Sequence, residues 1–187
     1  MTYDSERHHR RSIRLPGYDY AQPGAYFVTI CAVQGECLFG DIVDGVMIES
    51  VFGVIAREEW FRSADIRSEI VLNQDEFVVM PNHEHGIVRI IGDVGATGRS
   101  PLRAPRPGPL PHSLGAVMAG YKAVVTKHIN QIRSTPGMPV WQRNYWEHVI
   151  RNEAEMQRIR EYIQTNPARW SDDQLHPAAP RNRFNQE

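Results

Sequence analysis

Two histidines separated by a single residue, His83 and His85, have the type and spacing of metal ligands. They open a segment, residues 83–91, whose apolar and β-branched composition predicts a β-strand. Because side chains alternate along a strand, both imidazoles are expected on one face, about 7 Å apart at the backbone, with Glu84 on the other face. Two imidazoles at that spacing can bind one divalent ion. Two polar residues at the start of a strand are the alternative interpretation.

Tyr162 and Asn166 lie one turn apart near the end of the last predicted helix, so they are expected on one helix face. An amide oxygen added to two imidazoles leaves coordination positions of an ion open for a phosphate oxygen. A tyrosine hydroxyl beside that phosphate could attack the phosphorus if nearby positive charge offsets a phenol pKa near 10. The alternative is a boundary tyrosine followed by a C-cap before Pro167. Tyr121 is a rival nucleophile with no ligand-type residue one turn away.

The apolar pattern predicts the elements that position these side chains. Strands are predicted at residues 25–33, 70–80, 83–91 and 145–150, with a hairpin at 38–48. Helices are predicted from Ser50 to about 63, from Ser113 to about 133, and from Asn152 to 166. This order indicates an α+β class with a ferredoxin-like antiparallel sheet and helices packed on one face.

Length and composition suit one folded domain. The chain has 187 residues, of which 41% are hydrophobic and 23% charged. We expect a basic arm at residues 1–24, a domain at 25–170 with a Pro-rich loop inserted at 92–111, and a polar tail at 171–187. Two cysteines are too few for a disulfide framework, and no apolar run suits a signal peptide or a membrane span. A cytoplasmic location without a membrane partner is therefore expected.

The net charge of −1 hides a segregated charge pattern. Residues 36–93 contain 12 acids and 4 bases, whereas residues 94–146 contain 7 bases and no acid. Such a basic segment favours binding to a polyanion, although Pro-rich loops can also lack acids by chance. The candidate DNA contacts are Arg11, Arg14, Arg99, Arg103, Arg106, Lys122, Lys127 and Arg143.

Three segments carry a resemblance to a known family. The run VVMPNHEHGIV at residues 78–88 resembles the HUH motif of single-tyrosine transposases. The runs VWQRNYWEHVIRN at 140–152 and EYIQTNP at 161–167 resemble the tyrosine-helix region of the same family. The opening run RSIRLPGYDY at 11–20 is similar to the start of its REP-associated branch. The resemblance covers about residues 11–170.

The resemblance implies an HUH endonuclease-like fold and a specific reaction on single-stranded DNA hairpins. Tyr162 would attack a phosphodiester, forming a 5′-phosphotyrosine link and releasing a 3′-OH, which allows strand transfer without an external energy source. His83, His85 and Asn166 would hold Mg²⁺ or Mn²⁺. Such a bacterial-type protein would be associated with the nucleoid, and the resemblance leaves both a monomer and a homodimer open.

Glu84 departs from the family pattern, which usually has a hydrophobic residue between the two histidines. Its side chain must therefore be exposed, paired or protonated. Two other functions stay open at this point. One is a hairpin-binding protein without turnover. The other is a metal-dependent hydrolase that uses water, in which Tyr162 is only structural.

Overall fold

The computed structural model describes residues 17–92 and 109–180. The strands are β1 (Gly24–Cys31), β2 (Gly40–Val43), β3 (Val46–Glu49), β4 (Ile70–Val71), β5 (Phe77–Val79), β6 (His83–Ile90) and β7 (Trp146–Ile150). The α-helices are α1 (Val51–Ile66), α2 (Leu114–Ile132) and α3 (Glu153–Thr165). Short 3₁₀ turns lie at Val33–Gly35, Gln74–Glu76 and Pro167–Asp172.

The central sheet is antiparallel, with strand order β4-β6-β1-β7, and β5 also pairs with β6. Its two longest strands, β1 and β6, pair so that Thr29 lies opposite His85. On the other side of β1, Thr29 lies opposite Trp146 of β7. Strands β2 and β3 form a separate hairpin. His85, Thr29 and Trp146 are therefore neighbours across three adjacent strands, on one face of the sheet.

The two faces of this sheet are covered by different helices. The larger core, built around Tyr26, Val28 and Trp60, packs the sheet against α1 and α2. A smaller cluster of Ile87, Ile150, Met156 and Ile163 packs α3 on the opposite face. The predicted α+β class with an antiparallel sheet is confirmed. The helices cover both faces rather than the single face expected from the sequence, and α3 lies on the second face because the odd-numbered residues of β6 present Ile87 to its apolar stripe.

The helices begin where the sequence predicts them. Ser50, Ser113 and Asn152 each accept a hydrogen bond from a backbone N–H of the first turn. Helix α1 continues to Ile66, a few residues beyond the predicted end. No helix within residues 17–92 and 109–180 combines the length and apolarity needed to span a bilayer.

The predicted continuous strand at residues 70–80 is wrong. The chain pairs only at β4 and β5, and the 3₁₀ turn Gln74–Glu76 separates them. The interruption has a tertiary cause, because the carboxylate of Glu76 is fully buried and accepts hydrogen bonds from Asn73, Arg89 and Arg160. A regular strand would not hold Glu76 at the meeting point of these three donors.

Gly86 is expected to be intolerant of any side chain. A Cβ added there would lie 2.4 Å from Cζ2 of Trp60, which is stacked on Phe77. We expect Gly86→Ala to lower the free energy of unfolding by about 2 kcal/mol, measured by urea denaturation. The control is Gly24→Ala, where a Cβ would make an ordinary 3.5 Å contact. Equal effects of the two substitutions would contradict this interpretation.

Candidate active site on the third-helix face

His83 and His85 lie on the sheet face that α3 covers. Both side chains are buried, with 0% and 3% of their surface exposed. Their Nε2 atoms are 3.0 Å apart, so the two imidazoles converge as the strand alternation predicts. The rest of β6 is almost wholly buried, which fixes the two rings in a rigid part of the sheet.

Neighbouring side chains orient both imidazoles. The amide nitrogen of Asn82 donates to the carbonyls of Gly35 and Leu175, so its oxygen must face Nδ1 of His83, 2.8 Å away. The proton of His83 therefore sits on Nδ1, and its Nε2 carries a lone pair. Nδ1 of His85 lies 2.8 Å from the Thr29 hydroxyl, which can serve either tautomer. When the proton of His85 is also on Nδ1, the Nε2 lone pairs of His83 and His85 point into the same space.

Burial keeps both histidines neutral. It lowers the pKa of His83 to about 3. Burial, together with the neighbouring His83, lowers the pKa of His85 well below its ordinary value. Neutral imidazoles are the form that binds metal ions, so this environment favours ligation over ion pairing.

Tyr162 reaches the same place from α3. Its hydroxyl lies 3.2 Å from Nε2 of His85, and its ring packs edge-on against Phe27 and His85. Its side chain stays 40% exposed, so the hydroxyl lies between the buried histidines and the solvent. Burial and the nearby charge of Asp173 raise the pKa of Tyr162 to about 12. The phenol therefore requires added positive charge to become a nucleophile.

Asn166 is buried beneath Tyr162, with 3% of its surface exposed. Its Oδ1 has no hydrogen-bond partner among residues 17–92 and 109–180. A buried amide oxygen without a partner is costly unless a ligand satisfies it. The structure thus brings together the four side chains singled out from the sequence, and it leaves one of their acceptors unpaired.

Asp173 joins this cluster although the sequence analysis assigned it to a polar tail. Its Oδ2 lies 4.0 Å from Nε2 of His83, and ligand atoms of His83, His85 and Asp173 all lie within 4.8 Å of one another. The segment after α3 turns back over the site, where Leu175 accepts the hydrogen bond from Asn82. Two adjacent acids, Asp172 and Asp173, are the only hint of this role in the sequence. The hint is weak because the histidines that Asp173 approaches lie about 90 positions earlier.

His85, Tyr162, Asn166 and Asp173 line a cavity of about 400 Å³ between α3, β1, β7 and the segment after α3, and His83 adjoins this cavity through its contact with His85. The lining residues are Phe27, Thr29, His85, Trp146, Glu147, His148, Tyr162, Asn166, Arg169, Asp172, Asp173, Gln174 and Leu175. Two neutral imidazoles, one carboxylate and one unpaired amide oxygen are a donor set that suits a divalent cation. The residues present therefore fit a metal ion.

Glu84 lies on the opposite face, in the core beneath α2. It is 1% exposed, and its Oε2 lies 2.6 Å from the Tyr121 hydroxyl oxygen, with which it shares a hydrogen bond. Burial raises the pKa of Glu84 to about 8, so that it holds its proton near neutrality. Of the three alternatives for this residue, two apply, because it is both paired and protonated. Tyr121, the rival nucleophile, is bound to Glu84 and the Ala56 carbonyl on the far side of the sheet.

The ion-pair network of Glu76 fastens α3 to the sheet. Arg160 of α3 and Arg89 of β6 both donate to this one carboxylate. We expect Glu76→Ala to lower the free energy of unfolding by about 3–5 kcal/mol, because the partly buried guanidinium of Arg89 loses its counter-ion and that of Arg160 keeps only the exposed Glu153. Urea denaturation measures the loss, and Glu161→Ala at an exposed position of the same helix is the control.

The same carboxylate predicts a pH dependence of stability. Burial raises the pKa of Glu76, but hydrogen bonds from Arg89, Asn73 and Arg160 outweigh it and lower the pKa below 4.5. The stabilisation is therefore present above the unfolded-state pKa and is lost as the pH falls through the folded-state pKa. As the pH falls below 4.5, the difference in the free energy of unfolding between the wild type and Glu76→Ala should therefore shrink, which urea denaturation at several pH values measures.

The basic residues proposed to contact DNA have mixed outcomes. Arg11, Arg14, Arg99, Arg103 and Arg106 lie outside the described residues. Lys122 does not fit the predicted DNA contact, because its ammonium donates hydrogen bonds to the carbonyls of Gln142, Arg143 and Asn144. It holds this loop in place and has no N–H left for a phosphate. Lys127 and Arg143 are exposed on the rim of a second cavity of about 830 Å³ beside α2.

Comparisons with known proteins agree with this geometry. No family model matches the chain. An uncharacterized protein from Haemophilus influenzae is 40% identical over 179 residues, which span 93% of this chain and 97% of the relative. A solved structure of a REP-associated tyrosine transposase bound to a REP hairpin has the same fold, with a TM-score of 0.54. It is 18% identical, and the match covers 85% of this chain and 74% of that one.

Proposed function

The chain belongs to the same family as the Haemophilus influenzae protein, and from its transposase fold and its cavity we propose that it is a single-stranded DNA endonuclease and strand transferase. Its substrate would be DNA next to an imperfect hairpin. It would cut through a 5′-phosphotyrosine intermediate.

One observation carries this proposal. The Tyr162 hydroxyl lies 3.2 Å from Nε2 of a neutral buried histidine, within a cavity that also contains an unpaired Asn166 oxygen and the carboxylate of Asp173. If Tyr162 and Asn166 were only structural, a partly exposed phenol would not need to lie beside buried acceptor atoms that lack hydrogen-bond partners. The arrangement suits a nucleophile next to a cation site.

His83, His85 and Asn166 would hold Mg²⁺ or Mn²⁺, and the position of Asp173 makes it a fourth candidate ligand. When bound, such an ion supplies positive charge that stabilises both the phenolate and the charge developing on the phosphate. Asn82 and Thr29 would fix the two rings so that their Nε2 atoms converge. Phe27 would hold the tyrosine ring against His85.

The reaction of Tyr162 is a transesterification. The bond from its oxygen to phosphorus forms as the bond from phosphorus to the 3′ oxygen breaks. The phenol loses its proton to solvent, and the leaving 3′ oxygen gains one. Because one phosphodiester replaces another, the step is reversible, and a different 3′-OH can take the strand.

A gel assay with two label positions tests this function. Purified protein and Mn²⁺ are mixed with hairpin oligonucleotides taken from beside its own gene, each labelled at either the 5′ or the 3′ end. We expect the 3′ label to move with the protein on a denaturing gel and the 5′ label to appear in a short free fragment. Free fragments with both labels would indicate a hydrolase that uses water. Tight binding without any product would indicate a non-catalytic hairpin-binding protein.

We also propose that Lys127 and Arg143 contact the phosphates of the bound hairpin. Their cavity contains no acid among its lining residues, which favours a polyanion. We expect the double variant Lys127→Gln and Arg143→Gln to weaken hairpin binding about tenfold and to lower its salt dependence, measured by fluorescence anisotropy. Arg62→Gln, an exposed position on α1, is the matched control. Unchanged affinity and salt dependence in the double variant would contradict this contact.

A further inference from the structure

Arg169 is the one lysine or arginine among the described residues that line the cavity of Tyr162. It is exposed, and its guanidinium forms no ion pair or hydrogen bond with a residue in 17–92 or 109–180. Arg57 and Arg62, by contrast, each have a carboxylate partner. Arg169 is therefore an uncommitted cation at the opening of the proposed site.

The charges around the cavity favour such a cation. Its other charged lining residues are the acids Glu147, Asp172 and Asp173. A phosphodiester brings a further negative charge, and the transition state of phosphoryl transfer spreads charge over the non-bridging oxygens. A metal ion held by the histidines would offset only part of this repulsion. A planar guanidinium matches two phosphate oxygens and stays protonated at any relevant pH.

The backbone sets Arg169 close to the reacting groups. Its N–H donates to the Asn166 carbonyl at 3.0 Å, directly after the helix that carries Tyr162. The 3₁₀ turn is kinked at Arg169, with φ −110° and ψ 16°, before the chain returns to Asp173. The charge of Arg169 also acts on the phenol, because it lowers the pKa of Tyr162 against burial and Asp173, which raise it.

We propose that Arg169 is a catalytic residue whose guanidinium binds non-bridging oxygens of the phosphodiester that Tyr162 attacks. This inference rests on the proposed function. In the step, the tyrosine–phosphorus bond forms, the bond to the 3′ oxygen breaks, and Arg169 keeps its protons throughout. Its contribution is to offset charge on the phosphate as the transition state forms, so it should affect the rate more than hairpin affinity.

The test measures single-turnover adduct formation at saturating hairpin DNA with Mn²⁺, together with the hairpin Kd. We expect Arg169→Gln to slow adduct formation about 100-fold and to change the Kd less than about threefold. Arg169→Lys keeps the positive charge but loses the planar guanidinium that binds two oxygens at once. It should form adduct at least about ten times faster than Arg169→Gln. Arg62→Gln is the matched control, and thermal unfolding verifies that each variant is folded.

The outcomes separate this inference from the function beneath it. Wild-type protein that forms no adduct would refute the proposed function itself. If the wild type forms the adduct and Arg169→Gln reacts at a similar rate, the inference about Arg169 is wrong. The inference is also wrong if Arg169→Gln and Arg169→Lys slow the reaction equally and both variants have a lower melting temperature than the wild type. That result would indicate a structural role for Arg169.

Discussion

Tyr162→Phe is expected to lower the yield of covalent protein–DNA adduct by about 10³-fold or more, because the substitution removes the only atom that forms the new bond. The ring contacts with Phe27 and His85 remain, and the contacts of the hydroxyl with His85 and Asn166 lie at the cavity rather than in the main core. Stability and hairpin affinity should therefore stay close to those of the wild type. Adduct yield on denaturing gels, thermal unfolding and fluorescence anisotropy measure the three quantities.

Tyr18→Phe is the matched control for this substitution. Tyr18 is partly buried against the core on the opposite face of the sheet, so it shares the side-chain chemistry of Tyr162 but not its position. The control should form adduct at the wild-type rate. Undiminished DNA cleavage by Tyr162→Phe would show that water or another residue is the nucleophile.

His83→Ala is expected to abolish both the stabilisation of the fold by Mn²⁺ and the formation of the adduct. In the wild type, an ion that binds only the folded state at about 100 times its Kd should raise the free energy of unfolding by about 2.7 kcal/mol. Removing one imidazole deletes a ligand and leaves the Asn82 oxygen without its partner. Thermal unfolding with and without Mn²⁺ measures the first effect, and a chelator should abolish adduct formation by the wild type.

His112→Ala is the control for the histidine substitution, because His112 is an exposed residue beside Glu69, remote from this cluster. It should keep the full response to Mn²⁺. A His83→Ala protein that is folded and still stabilised by Mn²⁺ as strongly as the wild type would contradict the assignment of the cation site.

The parts of the site that the sequence predicted all depend on local periodicity. The alternation of β6 sets His83 and His85 on one face, and the helical spacing of Tyr162 and Asn166 sets both on one side of α3. These rules act within one element, so they hold whatever the rest of the chain does. The convergence of the two elements on one cavity then followed from the resemblance to a family.

The parts that the sequence did not predict depend on contacts between distant residues. Asp173 enters the cluster because the segment after α3 turns back, which nothing in its polar composition indicates. The strand at 70–80 is broken because Glu76 meets Arg89 and Arg160. Glu84 holds its proton because the core buries it, which raises its pKa more than the hydrogen bond with Tyr121 lowers it. In each case a polar side chain contacts a residue of another element, and the sequence pattern of a single element does not indicate such a contact.

Mass spectrometry of the adduct tests the central claim most directly. Wild-type protein is incubated with hairpin DNA and Mn²⁺, the DNA is trimmed with nuclease, and the protein is digested with trypsin. The peptide of residues 161–169 contains a single tyrosine, Tyr162. We expect this peptide to carry a nucleotide through the 5′ phosphate, on the phenol oxygen of Tyr162. Cleaved DNA with a free 5′ phosphate, together with an unmodified peptide, would contradict the account.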